Sequence, residues 1–247
     1  MNLKTPEEIE LIRQSGRIAS QTLDYLASKI KPGVTTEQLD RLGHQFILDH
    51  GAKPSPLGYR GYPKSLCVSI NEEVVHGIPG KKRIKEGDIV TIDITVNKNG
   101  FHGDTARTFT VGQVSERARK LVEATREAMY LGIEICKAGA YLGDVGAGIQ
   151  TYIEALGFSV VRNFVGHGIG RNFHEDPQVP YYGKPKTGLR LKQGLVLTIE
   201  PMVNEGTWEV KILEDGWTSI TKDGLLSAQF EHTVAVTGNE PDILTLS

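Results

Sequence analysis

The second half of this sequence echoes the first, and that echo restricts the fold more than any other feature. Lys31-Pro32-Gly33 returns as Lys137-Ala138-Gly139, and in the same register Leu39, Phe46 and Gly51 return as Val145, Tyr152 and Gly157. Val75-His76-Gly77-Ile78 resembles Gly166-His167-Gly168-Ile169, and the run from Gly87 to Asp93 aligns with that from Gly194 to Glu200. The spacing is too long for a solenoid. Each half therefore holds two helices, a His-Gly-Ile turn and a strand bearing a carboxylate. Two similar halves related by an approximate two-fold bring equivalent acids and histidines to one site.

Local signals place the elements. Thr5-Pro6-Glu7-Glu8 is a capping box with proline at the first helical position, and Ile9, Ile12, Ala19, Leu23, Leu26 and Ile30 follow at helical spacing, so a first helix is expected up to about Lys31-Pro32-Gly33. A second helix is expected from Thr35, with Gln38 completing its cap, to Gly51, a third from Ser115 to just before Lys137, and a fourth from about Asp144 to Gly157. Ser65–Ile70 reads as a strand after a stretch rich in Pro and Gly, and Leu226–Val236 reads as another.

Between the two pairs of helices lies a hairpin. Val90–Val96 and Phe101–Arg107 are β-prone runs joined by Asn97-Lys98-Asn99-Gly100. Alternation puts Ile92 and Ile94 on one face and Thr91, Asp93 and Thr95 on the other. With the turn centred on Lys98 and Asn99, Asp93 lies opposite Asp104, where two like charges destabilise unless a cation or shared proton relieves them. On the hairpin alone a solvated sheet face explains two acids equally well. Glu231, however, stands inside an apolar strand, where a carboxylate is costly unless paired or metal-bound. Asp93, Asp104, Glu200, Glu231 and His167 form a set whose four carboxylates two divalent cations would neutralise. One histidine and no cysteine in that set favour Mn²⁺, Fe²⁺, Co²⁺ or Zn²⁺ over a structural thiolate zinc.

Composition excludes several partners. The 247 residues carry a formal charge of −2, with no basic footprint for nucleic acid or an acidic membrane surface. No run approaches a membrane span, and the N-terminus lacks a signal core. Cys67 and Cys136 form no spacing motif, which fits free thiols and a cytoplasmic location. The length suits one domain spanning 1-247, with halves at about 5-112 and 113-240.

The ordered set Ile-Asp93-Ile, His-Gly-Asp104-Thr-Ala-Arg, Gly-His167-Gly-Ile-Gly, Thr-Ile-Glu200-Pro and Ala-Gln-Phe-Glu231-His-Thr resembles the metallopeptidases of the pita-bread fold, and within them the type I methionine aminopeptidases. The resemblance extends over nearly the whole chain, including Gly61-Tyr62-Pro63-Lys64-Ser65, His76-Gly77-Ile78-Pro79 and Phe173-His174-Glu175-Asp176-Pro177. It implies an α+β fold with two α/β halves around a curved, mainly antiparallel sheet. It also implies a hydrolase, a dinuclear metal-binding aminopeptidase that removes N-terminal methionine when the second residue is small.

Carried over by position, Asp93 would chelate one metal, Asp104 and Glu231 would bridge both, and His167 and Glu200 would complete the ligand set of the second metal. A bridging water would attack the carbonyl after the first residue, with Glu200 as proton shuttle. His174 would stand near the scissile carbonyl oxygen and His76 near the amide. A substrate α-amine on an open metal position would confine cleavage to chain N-termini. Tyr59, Tyr62, Cys67, Phe173 and Trp217 match the positions that line the methionine pocket. Substrates would be Met peptides and nascent chains, met by a monomer with transient ribosome contact; with nothing before Thr5 that could dock, the catalytic surface itself would make that contact. Asn2 is large enough that Met1 is expected to be kept.

Two positions depart from the pattern, Arg60 where relatives often carry histidine and Pro56 where some carry cysteine. Rival readings are a proline-directed aminopeptidase or prolidase, which shares the five ligands but usually carries an extra N-terminal domain, and a non-catalytic pita-bread binding protein, which would have broken ligands. A dinuclear phosphoesterase would use more histidines.

Overall fold

The computed structural model describes residues 2–247. Helices α1 (Pro6–Ala27) and α2 (Thr36–Asp49) belong to the first half, and α3 (Glu116–Ile135) and α4 (Leu142–Ala155) to the second. Both predicted capping boxes of the first half are formed: Thr5 with Glu8, and Thr35 with Gln38. No helix among the described residues is long and apolar enough to cross a membrane.

The echo in sequence is an echo in backbone. Gly33 and Gly139 both adopt left-handed φ, at 92° and 95°. Their amides donate to Ile84 and Leu191, and the neighbouring bridges Thr35 to Arg83 and Tyr141 to Arg190 repeat the same joint. The core is correspondingly divided. Ile18, Leu23, Leu26, Leu39 and Ile47 pack with Val68, Ile92, Ile94 and Val96, whereas Leu121, Met129, Ile133, Val145, Ile149 and Ile153 pack with Leu197, Ile199 and Val234. A third, smaller cluster of Ile12, Phe101, Ile169, Val196, Ala235 and Leu244 joins them. Fully burying each such aliphatic side chain stabilises the fold by about 1.5–3 kcal/mol.

One main sheet runs across both halves. Its order is Lys53–Pro54, Ile89–Lys98, Phe101–Thr110, Glu231–Ala235, Val196–Ile199, Gly166–Gly168, Glu175–Val179, and every pairing is antiparallel. Cys67–Ile70 also pairs with Ile89–Lys98. The centre of the sheet is thus the seam between the halves, where a hairpin strand of the first meets the Glu231 strand of the second.

The hairpin turns one residue later than expected. Thr95 faces Asp104 and Asp93 faces Ala106, so the turn is Asn99-Gly100, with φ at 55° and 80°. A two-residue hairpin turn with both central φ positive suits Asn-Gly and not Lys-Asn. The register moves by two residues, so Asp93 and Asp104 remain on one face as diagonal neighbours rather than a direct pair.

Three boundaries also differ. Helix α1 ends at Ala27, because Pro32 disfavours helical backbone at Lys31 and the chain must turn for Gly33 to reach Ile84. Helix α4 begins two residues early, since Asp144 accepts from the Tyr141 amide and so belongs to its first turn. Leu226–Val236 is broken at Phe230: Ser227–Gln229 pairs with Met202–Asn204 in a separate sheet, and Glu231–Ala235 enters the main one. Likewise Ser65–Ile70 becomes a strand only at Cys67, the amides of Ser65 and Leu66 being taken by Asp40.

At the N-terminus, Lys4 Nζ meets Glu175 Oε2 at 2.5 Å with both side chains almost fully covered. A Cβ at Gly170 would collide with Lys4 Cε, so this glycine is what lets the lysine in. Lys4→Met is expected to lower stability by about 3 kcal/mol, since removing one partner strands a buried charge. Urea unfolding measures it, and Lys4→Met/Glu175→Gln should recover much of the loss.

Candidate metal centre and active site

The central strands aim their acids into one cavity of about 270 Å³. Asp93 and Asp104 come from the hairpin, Glu231 from the start of its strand, His167 from the middle of Gly166–Gly168, and Glu200 directly follows Val196–Ile199. All five line the cavity. Donor atoms of Asp104, His167 and Glu231 lie within 4.8 Å of one another. His167 Nε2 stands 3.8 Å from Asp104 Oδ2 and 3.7 Å from Glu200 Oε1. Its Nδ1 is 2.9 Å from the Gly168 carbonyl, so Nδ1 carries the proton and Nε2 presents its lone pair to the acids.

Neighbouring groups hold these donors in place. Thr95 Oγ1 donates to Asp104 Oδ1 at 2.7 Å, Thr198 Oγ1 to Glu200 Oε1 at 2.7 Å and Gln229 Nε2 to Glu200 Oε2 at 3.3 Å. The Tyr181 hydroxyl accepts from the Glu200 amide at 2.8 Å. Thr95 and Gln229 each lie two residues from an acid, a spacing that strand alternation alone could have flagged.

The electrostatics of the acids are those of a cation site. Burial raises all four carboxyl groups above their ordinary range, and the Asp104 charge further raises Asp93, Glu200 and Glu231. No lysine or arginine pairs with any of them among the described residues; only His167 is near, and burial holds its pKa down to about 4. Four acids without a lysine or arginine partner among the described residues, Asp104 and Glu231 buried and Asp93 and Glu200 largely so, beside a histidine presenting a lone pair, fit divalent metal ions.

The same cavity contains Tyr59, Tyr62, Cys67, His76, Phe173, His174 and Trp217. Tyr62 and Trp217 meet edge to face at 5.1 Å, and the Tyr62 hydroxyl donates to the Leu66 and Gly77 carbonyls. Burial keeps the Cys67 thiol protonated. His76 sits at φ 60°, a left-handed backbone that concentrates at functional sites in residues other than glycine. Its ring meets Phe164 at 5.4 Å and Trp217 at 6.2 Å. His174 lies 4.2 Å from the His167 ring, with Nδ1 at 2.9 Å from Tyr59 Oη. Phe164 and Met202 also line the cavity and went unnoticed in the sequence, where neither belongs to a polar pattern. His102, between Ser55 and Asn97, stacks on Phe173.

An acid-lined cavity at the seam of two duplicated α/β halves defines a metallopeptidase of the pita-bread type, and the chain belongs to metallopeptidase family M24, whose model matches residues 10–238. It is 55% identical to methionine aminopeptidase A of Synechocystis sp., over 100% of this chain and 98% of that protein. A crystal structure of methionine aminopeptidase from Rickettsia prowazekii superposes with a TM-score of 0.98 at 47% identity, covering 100% of both chains. Prolidase from Pyrococcus furiosus shares the fold more distantly, with a TM-score of 0.80 at 26% identity over 99% of this chain and 65% of that one.

Proposed function

We propose that this chain is a methionyl aminopeptidase, which hydrolyses the first peptide bond of chains beginning with methionine and favours a small second residue. The observation that carries the reading is the joining, in one cavity, of the five donors to the aromatic and thiol walls of Tyr62, Cys67 and Trp217. Full-length identity of 55% to a methionine aminopeptidase, against 26% to a prolidase, supports methionine over proline as the recognised residue.

Asp93, Asp104, His167, Glu200 and Glu231 would hold two divalent ions, drawn from Mn, Fe, Co or Zn. When bound, such ions polarise a carbonyl and make water acidic enough to attack it near neutral pH. The protein's own groups do the rest. Glu200, fixed by Thr198 and Gln229, receives the proton of the attacking water and passes it to the leaving amine. Nδ1 of His174 lies 2.9 Å from the Tyr59 hydroxyl, and in the tautomer where Tyr59 donates, the ring proton sits on Nε2 and is offered to the carbonyl oxygen. His76 stays neutral, burial holding its pKa down to about 4, and hydrogen-bonds the amide of the bond being broken. Tyr59, Tyr62, Cys67, Phe173 and Trp217 receive the thioether side chain, for which aromatic and sulfur contacts are suited.

Residues 1-247 act as one catalytic domain, a monomer working on nascent chains in the cytoplasm with transient ribosome contact. Buried, unpaired Cys67 and Cys136 fit that compartment. The test is release of methionine from Met-Ala-Ser by chelated and metal-restored protein, set against Xaa-Pro peptides. Metal-dependent release from Met-Ala-Ser is expected, and faster cleavage of Xaa-Pro would overturn the reading.

A further inference from the structure

The wall of the cavity carries a single permanent cation. Arg60 is the one lysine or arginine among the lining residues, standing in the loop between Pro56 and Tyr62. Its guanidinium lies over the Tyr59 ring, 5.3 Å from the centroid, and takes part in no ion pair among the described residues, whereas nearby Lys64 is neutralised by Glu37 at 3.0 Å. Its backbone is left-handed, φ 50° and ψ 25°, between Gly58 at φ 81° and Gly61 at φ 89°. Arginine enters that region at a cost, so the loop holds a strained residue that satisfies no internal partner.

We propose that Arg60 is a specificity-determining residue whose guanidinium at the cavity mouth recognises an acidic side chain in the substrate segment just beyond the scissile bond. The inference rests on the aminopeptidase reading and deepens it. With the α-amine at the metal centre and the first side chain inside the apolar walls, the following residues leave past the rim where Arg60 lies. The guanidinium carbon lies over the Tyr59 ring and its N–H groups make no side-chain hydrogen bond or ion pair among the described residues, so they are free to meet a carboxylate.

The experiment compares kcat/KM for the amidated peptides Met-Ala-Asp-Phe, Met-Ala-Asn-Phe and Met-Ala-Lys-Phe with parent, Arg60→Asn and Arg60→Asp proteins. Amidation removes the terminal carboxylate, and Asn and Asp both tolerate left-handed backbone, so the loop keeps its shape. The parent should prefer the Asp peptide to the Lys peptide by about fivefold at low salt, the upper end for an exposed charge pair. The ratio should approach one in Arg60→Asn, invert in Arg60→Asp, and shrink for the parent at high salt. An equal ratio in all three proteins, with methionine still released, overturns this proposal alone. Absence of release from every peptide removes the aminopeptidase reading and the proposal with it.

Discussion

Exchanging Asp104 for Asn, or Glu231 for Gln, is expected to lower kcat/KM on a Met-Ala peptide by roughly a thousandfold or more, while raising the melting temperature of the metal-free protein. The activity loss would follow from removing a proposed metal donor: polarisation by bound metal would supply several kcal/mol of transition-state stabilisation, and about 4 kcal/mol is a factor of a thousand. The stability gain has the opposite sign for the same reason that the site attracts cations. Without metal, the four carboxyl groups repel or must take protons, and no lysine or arginine among the described residues offsets their desolvation. An amide of the same shape removes one of those charges. In Asp104→Asn the side-chain amide oxygen can still accept from Thr95, so the local hydrogen bond survives. A gain of about 1 kcal/mol appears as a rise of about 2–4 °C in a chain of this size. Thermal melts in chelator, paired with methionine release after metal restoration, measure both effects. An acid that merely braces the fold would lose stability on substitution, and that result, or full activity, would sink the metal-centre reading.

How much of this was legible beforehand follows from which forces act locally. The repeated joints and the meeting of Asp93, Asp104, His167, Glu200 and Glu231 could be read directly, because the joints repeat the same glycines and caps, and because an acid inside an apolar strand is anomalous wherever the strand lies. The turn residues contained the hairpin register too: Asn-Gly is the pair that accepts two positive φ values, and a turn on Lys-Asn overlooks that requirement. The two acids kept one face only because the register moved by an even number of residues. What could not be read was non-local. The break at Phe230, which sends Gln229 and Glu231 to different sheets, depends on where Met202–Asn204 lies. The burial of Lys4 against Glu175 depends on a gap at Gly170 far along the chain. Phe164 enters the cavity through its packing on His76, which no periodicity announces.

Chelated and metal-loaded protein are expected to diverge in stability as pH rises from about 5.5 to 8. In the metal-free protein, burial pushes Asp104 up to about 6 and Glu200 up to about 8, with Asp93 and Glu231 raised as well. A carboxyl group whose pKa is higher folded than unfolded binds more protons in the native state. Its favourable contribution is complete below the ordinary carboxylate range near 4 and is lost as pH climbs through the folded value. These carboxyl groups should therefore contribute a loss of the order of a few kcal/mol across this window in the metal-free protein. Metal reverses the slope, because the acids must be ionised and His167 Nε2 free to bind it, so binding releases protons and strengthens with pH. At free metal a thousandfold above the dissociation constant the stabilisation is about 4 kcal/mol. Glu175 is ionised throughout this window, whereas His76, His102, His174 and His232, held below their ordinary value by burial, stabilise both forms as pH rises through the unfolded value near 6.5 and so leave the gap unchanged. Melting curves at fixed free Mn²⁺ and in chelator, taken in half-unit steps of pH, should show a gap that widens toward alkaline pH and reaches roughly 10 °C. A gap that stays constant or narrows would mean that the four carboxyl groups do not release their protons to solvent when metal binds, and that its ligands lie elsewhere.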